Sequence, residues 1–280
     1  MVEEDKLIVS LQNLDLKEDK SEQKSVAETE PPPPPRRLTE VEEITGYDFK
    51  NKELLKEAFT HASYKTEDCL SYERLEYLGD SVLNHLIAKL HYSLYKNMAP
   101  GELTRLRAAN VDTEALARAA LKHGLHKYLR HRKPLLHGQI EAFMEGVVEY
   151  PSHSHGMIDP PKVLADILES LIGAIFVDTD SSMDDTWKVV ERLLQPLTTP
   201  ENLMQNPVAK FNEACQKMGL KPHANDLWNK TGQIEIYIDN EVIGRGNYKL
   251  KKIIAVNRAA DDAYKNLFGK LGNKHGGIGA

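Results

Sequence analysis

Residues Glu73–Tyr95 read ERLEYLGDSVLNHLIAKLHYSLY, and residues Leu164–Asp178 read LADILESLIGAIFVD. In the first stretch Leu75, Leu78, Val82, Leu86 and Leu90 recur at intervals of three and four, the period of an amphipathic helix. The second follows two prolines and is strongly apolar, again with helical grammar. Each carries a pair of acids. Glu76 and Asp80 are four apart and Asp166 and Glu169 three apart, so each pair shares one helix face. Like charges so spaced weaken an isolated helix by a few tenths of a kcal/mol, and a carboxylate in apolar surroundings has to be neutralised.

Two explanations fit that spacing. The acids are solvated helix faces or ion-pair partners, with Arg74 or Arg105 as the nearest cations in sequence. Alternatively, the two pairs converge on one cleft and form a hard-oxygen site suited to Mg²⁺. Two such ions can clamp the attacking and leaving oxygens of a phosphodiester.

Working outward, the helical pattern extends over 38–200. ITGYDFKNKELLKEAFTHASY (Ile44–Tyr64) turns at Gly46 and then places Leu54, Leu55, Ala58 and Phe59 at helical spacing. LTRLRAANVDTEALARAALKHGL (Leu103–Leu125) supplies two helices, the second capped by Asp112 or Thr113, with Gly124 near its end. DDTWKVVERLLQPL (Asp184–Leu197) closes the set. The piece from Gly138 to Pro160, interspersed with Ser, His, Gly and Pro, reads as an irregular insertion between helices. Nothing in this region alternates as a strand.

Beyond Pro200 the grammar changes. NPVAKFNEACQKMGL (Asn206–Leu220) is an amphipathic helix ending at Gly219. QIEIYID (Gln233–Asp239) alternates with Ile234, Ile236 and Ile238 on one face, a turn follows at Asp239 and Asn240, and a second strand resumes. IIAVNRAADDAYKNLFGKLG (Ile253–Gly272) aligns Ala255, Ala259, Ala263 and Leu267 on one side of a helix. Ahead of both regions, residues 1–37 form an acidic tail ending in Pro31–Pro35, a run that excludes helix and favours an extended spacer or a docking motif for a protein partner.

The net charge of −6 argues against a protein that coats nucleic acid by bulk charge. It conceals regional differences. Residues 1–37 hold 9 acidic and 6 basic residues, 38–205 hold 26 and 18, and 206–280 hold 7 and 12. Two cysteines, Cys69 and Cys215, exclude a disulfide scaffold and fit a reducing compartment. Cys215 lies on an apolar helix face and reads as a small buried residue rather than a redox switch. No apolar run approaches membrane-spanning length, and the acidic start shows neither a secretory signal nor a transit peptide. The nucleus or the cytoplasm is the expected location.

The wording of the two acidic stretches goes further than their spacing. ERLEYLGDS (Glu73–Ser81) resembles the signature of the ribonuclease III family, endonucleases that cleave double-stranded RNA, and LADILESLIGAIFVD resembles that family's second acidic motif. Ile44–Tyr64 and Leu103–Leu125 are similar to its flanking helices, so the resemblance spans Glu40 to Leu197. It implies an all-α ribonuclease III endonuclease domain with Glu76, Asp80, Asp166 and Glu169 as catalytic metal ligands. It further implies Mg²⁺ as cofactor, with Mn²⁺ able to take its place, and products with 5′-phosphate, 3′-hydroxyl and short 3′ overhangs. All four acids are present, whereas a catalytically silent RNA-binding or scaffold protein would have little reason to keep them. Glu73 and Lys162 occupy accessory positions. A single signature implies a homodimer, with Tyr77 in place of the aromatic that plugs the partner subunit.

The C-terminal region resembles a small α-β-β-β-α double-stranded RNA-binding domain. The resemblance implies RNA contacts from Gln216 on the first helix and from Lys249, Lys251 and Lys252 before the last. It departs from the usual pattern in lacking a Gly-Pro-x-His loop and in having Ile253 and Val256 at two lysine positions. The expected organisation is a tail over 1–37, a catalytic domain over 38–200, an RNA-binding domain over 205–273 and a flexible end over 274–280. Among family members, this arrangement looks most like the plant ribonuclease-three-like proteins.

Overall fold

The structure, a computed structural model, describes residues 38–64 and 69–272. The acidic tail over 1–37, with its expected docking role, and the end over 274–280 lie outside the described residues. Two compact units are present. One holds the described residues up to His153 together with Pro160–Leu203. The other holds Ser154–Asp159 and the described residues from Met204 onward.

The first unit is helical: α1 (Thr39–Thr45), α2 (Lys52–Ala58), α3 (Glu73–Leu94), α4 (Pro100–Val111), α5 (Thr113–Lys122), a 3-10 turn (Leu125–Tyr128), α6 (Leu136–Glu149), α7 (Lys162–Asp178) and α8 (Met183–Leu194). Its centre is α7. Thirteen of its 17 residues are buried, which is why LADILESLIGAIFVD shows no polar face: a helix apolar all round belongs inside. The helices α2, α3, α5 and α8 surround it. Side-chain caps punctuate the chain as the sequence suggests. Asn51 accepts from Glu53 N at 3.0 Å, and Asp112, the expected cap of α5, accepts from Ala115 N at 2.9 Å.

The closest approach is between α3 and α7. A methyl group on Gly79 would lie 1.8 Å from the carbonyl oxygen of Glu169, and one on Gly173 would lie 2.2 Å from that of Leu75. Only glycine admits this backbone contact. At its foot α7 ends on Asp178, whose carboxylate accepts from Tyr47 Oη (2.7 Å), Lys50 N (2.8 Å) and Asn51 N (2.9 Å), fixing the loop between α1 and α2.

One expectation is corrected. Residues 136–149 are a helix and not part of an irregular insertion. Leu136, Ile140 and Phe143 fall at i, i+4 and i+7 and are buried. Gly138, where the expected insertion began, lies on the exposed side, and the Ser, His and Pro residues that suggested a loop fall at 151–160, beyond the helix. Only residues 150–161 are non-helical.

The second unit comprises α9 (Pro207–Met218), β1 (His223–Leu227), a one-turn α10 (Trp228–Thr231), β2 (Gln233–Ile238), β3 (Glu241–Asn247) and α11 (Lys252–Gly272). The strands form an antiparallel sheet in the order β1-β2-β3, with Ile234 opposite Gly246 and Ile236 opposite Gly244. Asp239 and Asn240 both take positive φ, as a tight two-residue hairpin requires. Ile234, Ile236 and Ile238 are buried together with Ala255, Ala259 and Ala263 of α11. Small residues on both sides let helix and strand touch: a methyl on Gly246 would come within 2.0 Å of Ala255 O. The result is an α-β-β-β-α module.

Candidate active site

The crossing at Gly79 and Gly173 decides where the acids go. Glu76 and Asp80 flank Gly79 on α3, and Asp166 and Glu169 lie about two turns and one turn before Gly173 on α7. All four line one cleft, together with Glu73, Tyr77 and Lys162. One carboxylate oxygen from each of Glu76, Asp166 and Glu169 can be chosen so that the three lie within 4.8 Å of one another. The structure therefore brings three of the expected ligands into a tight cluster and places the fourth, Asp80, in the same cleft on the α3 side. Asp80 Oδ1 accepts from Asn84 Nδ2 at 2.7 Å, and Asn84 Oδ1 in turn accepts from Arg107.

The cation that meets these acids is Lys162, not Arg74 or Arg105. Its ammonium donates to Glu76 Oε1 at 2.7 Å and to Asp166 Oδ1 at 2.5 Å. Burial pulls the lysine's pKa down, but the hydrogen bonds and charges of Asp166 and Glu76 outweigh it and hold it above its ordinary value. Asp166 is buried, and its other oxygen accepts from Tyr72 Oη at 3.1 Å. Burial, then the charge of Asp166 and that hydrogen bond, raise the Tyr72 phenol far above its usual range, so it stays a donor.

For Glu169 the pull of Lys162 is outweighed. Burial first, then the charges of Asp80, Asp166 and Glu76, push its carboxyl up to about 8. Burial also raises Glu76, against the opposing pull of Lys162. A set of crowded, hard carboxylate oxygens only partly neutralised by one ammonium is the donor chemistry that a small divalent cation fits. Tyr72, Asn84 and Arg107 escaped the sequence reading. The one available signal was that Tyr72 immediately precedes the acidic stretch.

The remaining expected residues fall as follows. Glu73 is exposed at the cleft and accepts from Ser71 Oγ at 2.8 Å. Tyr77 is 79% exposed, which removes it from this chain's core. In the second unit Gln216 and Lys249 are exposed. Lys251 pairs with Asp159 at 2.6 Å. Lys252 is not presented to solvent as the sequence suggested: its side chain is largely covered and its ammonium pairs with Asp226 of β1 at 2.6 Å. Cys215 is buried, and burial pushes its thiol up to about 11.

A helical unit with two acidic pairs facing one cleft, joined in sequence to an α-β-β-β-α module, is the architecture of a double-stranded RNA endonuclease class. The chain belongs to the ribonuclease III family. The Ribonuclease III domain profile matches residues 73–180. The chain is 47% identical over 246 residues to Ribonuclease 3-like protein 3 of Oryza sativa subsp. japonica, covering 86% of this chain and 82% of that protein. It is 37% identical over 238 residues to Ribonuclease 3-like protein 2 of the same organism, covering 82% and 74%. It is also 43% identical over 221 residues to Endoribonuclease Dicer homolog 1 of Arabidopsis thaliana, covering 76% of this chain but 12% of that longer protein.

Proposed function

We propose that this chain is an endoribonuclease that hydrolyses double-stranded RNA with Mg²⁺, or Mn²⁺ in its place, and leaves 5′-phosphate and 3′-hydroxyl ends with short 3′ overhangs. The observation that carries this reading is the convergence of Glu76, Asp166 and Glu169 within 4.8 Å, with Asp80 lining the same cleft. These four side chains would hold the ion. When bound, it would supply charge neutralisation at the scissile phosphate and acidify water that can attack in line.

The chain's own residues do the rest. Tyr72 holds Asp166 in one orientation. Asn84, itself held by Arg107, fixes the carboxylate of Asp80. Lys162 screens Glu76 from Asp166 and offers an ammonium at the mouth of the cleft, where a phosphate oxygen would arrive. Glu169 would have to be ionised to serve as a ligand.

Among the described residues there is one cluster of metal-type acids, so cutting both strands of a duplex would require two chains. The exposed Tyr77 beside the cleft supports a homodimer that makes a staggered pair of cuts. Gln216, Lys249 and Lys251 are the groups by which the C-terminal module would grip duplex RNA by shape and phosphate rather than sequence, in RNA processing or turnover of duplexes.

Long duplex RNA incubated with the full chain and Mg²⁺ tests the reading, beside Glu169→Gln and Asp80→Asn variants. Wild type should cut and both variants should lose activity by orders of magnitude. Failure of the wild type, or equal cutting by the variants, would leave a duplex-RNA-binding protein on a nuclease fold.

A further inference from the structure

The first unit carries a surplus of acid, yet four consecutive residues, Arg130–Lys133, gather three permanent cations. Arg130 and Arg132 both lie over the ring of Tyr64, with guanidinium carbons 4.7 and 5.6 Å from its centroid. Two guanidinium groups beside one ring repel each other, and hydrogen bonds of the segment hold them there. Arg130 N donates to Phe59 O at 2.8 Å, and Arg130 O accepts from His61 N at 3.0 Å. Arg130 Nη1 donates to Thr60 Oγ1 at 3.1 Å, and Arg132 N donates to Ser63 Oγ at 2.9 Å. Among the described residues, Arg130, Arg132 and Lys133 have no carboxylate partner, and Arg132 and Lys133 are exposed. Held over Tyr64, Arg130 gives one N–H to Thr60, and the exposed Arg132 keeps its guanidinium N–H groups available for an oxyanion.

The cluster is wired to the acidic cleft. Ser63 Oγ lies 2.9 Å from His61 Nδ1. The His61 ring meets that of Tyr72 edge-on at 5.6 Å, and Tyr72 donates to Asp166. Two rings therefore separate the cations from a buried carboxylate of the metal-type cluster. A strand whose scissile phosphate sat over the carboxylates would have neighbouring phosphates at this distance scale. An acidic protein partner has no reason to be placed so near the acids.

We propose that Arg130, Arg132 and Lys133, with Tyr64 as their positioning residue, form a phosphate-binding subsite that holds the duplex RNA backbone beside the cleft and sets the register of the cut. This deepens the nuclease reading and rests on it.

The test uses the full chain carrying Asp80→Asn, so that RNA is bound without being cut, with and without Arg132→Ala plus Lys133→Ala. Both added substitutions are exposed, and unchanged thermal melting confirms the fold. Losing two phosphate contacts should lower the salt dependence of duplex affinity by roughly 0.9 per contact, so the affinity gap between the proteins narrows about twelvefold from about 50 to about 200 mM salt. Duplexes with a single methylphosphonate walked across the cut site supply the second readout. Neutral linkages next to the cut should weaken binding to the parent and leave the double variant unaffected. Equal salt slopes, or a methylphosphonate effect that is the same in both proteins, overturn the subsite while leaving the nuclease reading in place. If the parent binds no duplex and wild type cuts none, the nuclease reading falls and takes the subsite with it.

Discussion

Gly79 and Gly173 face each other across the crossing of α3 and α7 so closely that a methyl group built on Gly79 comes within 2.9 Å of the amide nitrogen of Gly173. The spacing of the two acidic pairs is thereby set by backbone contact and not by side-chain length. Gly79→Ala or Gly173→Ala should force the helices apart. The expected cost is at least about 3 kcal/mol, the upper end of overpacking in a core that cannot relax, with loss of cutting even where the variant stays folded. Urea unfolding measures the first and duplex cleavage the second. A loss below about 0.5 kcal/mol in either variant would show that the crossing is more compliant than its geometry implies.

Glu169 should make the metal-free chain less stable as pH rises. Its folded pKa of about 8 lies above the unfolded carboxylate value, so between the two the folded state binds more protons than the unfolded state. The slope of stability against pH is therefore negative from about pH 4.5 to about pH 8 for this group, and flat above. Glu169→Gln removes that decline and should raise stability at pH 9 in chelator while abolishing cutting. Unfolding curves at pH 5, 7 and 9 decide it. A wild-type profile identical to that of the variant would refute the assignment.

Binding of Mg²⁺ should release a proton below pH 8, because Glu169 must ionise to act as a ligand. Calorimetry in two buffers of different ionisation enthalpy reads the proton count directly. No proton release at pH 7 would mean that Glu169 is already charged or takes no part in holding the ion.

Tyr72→Phe tests positioning. The ring stays and only the hydrogen bond to Asp166 goes, so the stability loss should be about 1.5–3 kcal/mol, the range for a bond to a charged group. Metal affinity or cutting should fall roughly 10- to 100-fold, as when a partner that orients a metal ligand is removed. A fall in kcat at saturating Mg²⁺ with unchanged metal affinity would place the tyrosine at a later step.

His153 carries a separate pH dependence. Burial lowers its pKa, but the hydrogen bond to Asp112 and the charges of Asp112 and Glu114 outweigh it, and the net shift is upward. A raised histidine stabilises fully below its unfolded pKa and loses that contribution as pH rises through its folded value. His153→Gln should therefore cost more stability at pH 5.5 than at pH 9. A cost independent of pH would show that packing, not charge, accounts for it.

The acids of this site were legible because helical spacing and wording are local. Glu76, Asp80, Asp166 and Glu169 each sit within a few residues of the apolar pattern that defines their helix. Tyr72 was not legible, because its partner lies 94 residues away and no periodicity links them. The same holds for Asn84 with Arg107, and for Lys252 with Asp226, where an exposed-looking lysine turned out to brace a strand. In α6, the Gly, Ser, His and Pro content of 138–160 taken as one stretch outweighed the three buried residues that make its first part a helix. In the C-terminal unit the alanine stripe was visible from the sequence, but not that Gly244 and Gly246 make the opposite surface.

Asp166 and Glu169 ride on the most deeply enclosed helix of their unit. Mechanically, one wall of the cleft is part of the core and cannot yield without unfolding. Adjustment to an incoming RNA strand therefore falls to Glu76 on the opposite wall and to the long, exposed stem of Lys162 at the start of α7. Such a site tolerates little imprecision in its substrate: it would rather select duplexes of the right groove shape than adapt to others. Its accuracy and its intolerance of core mutations are then the same property.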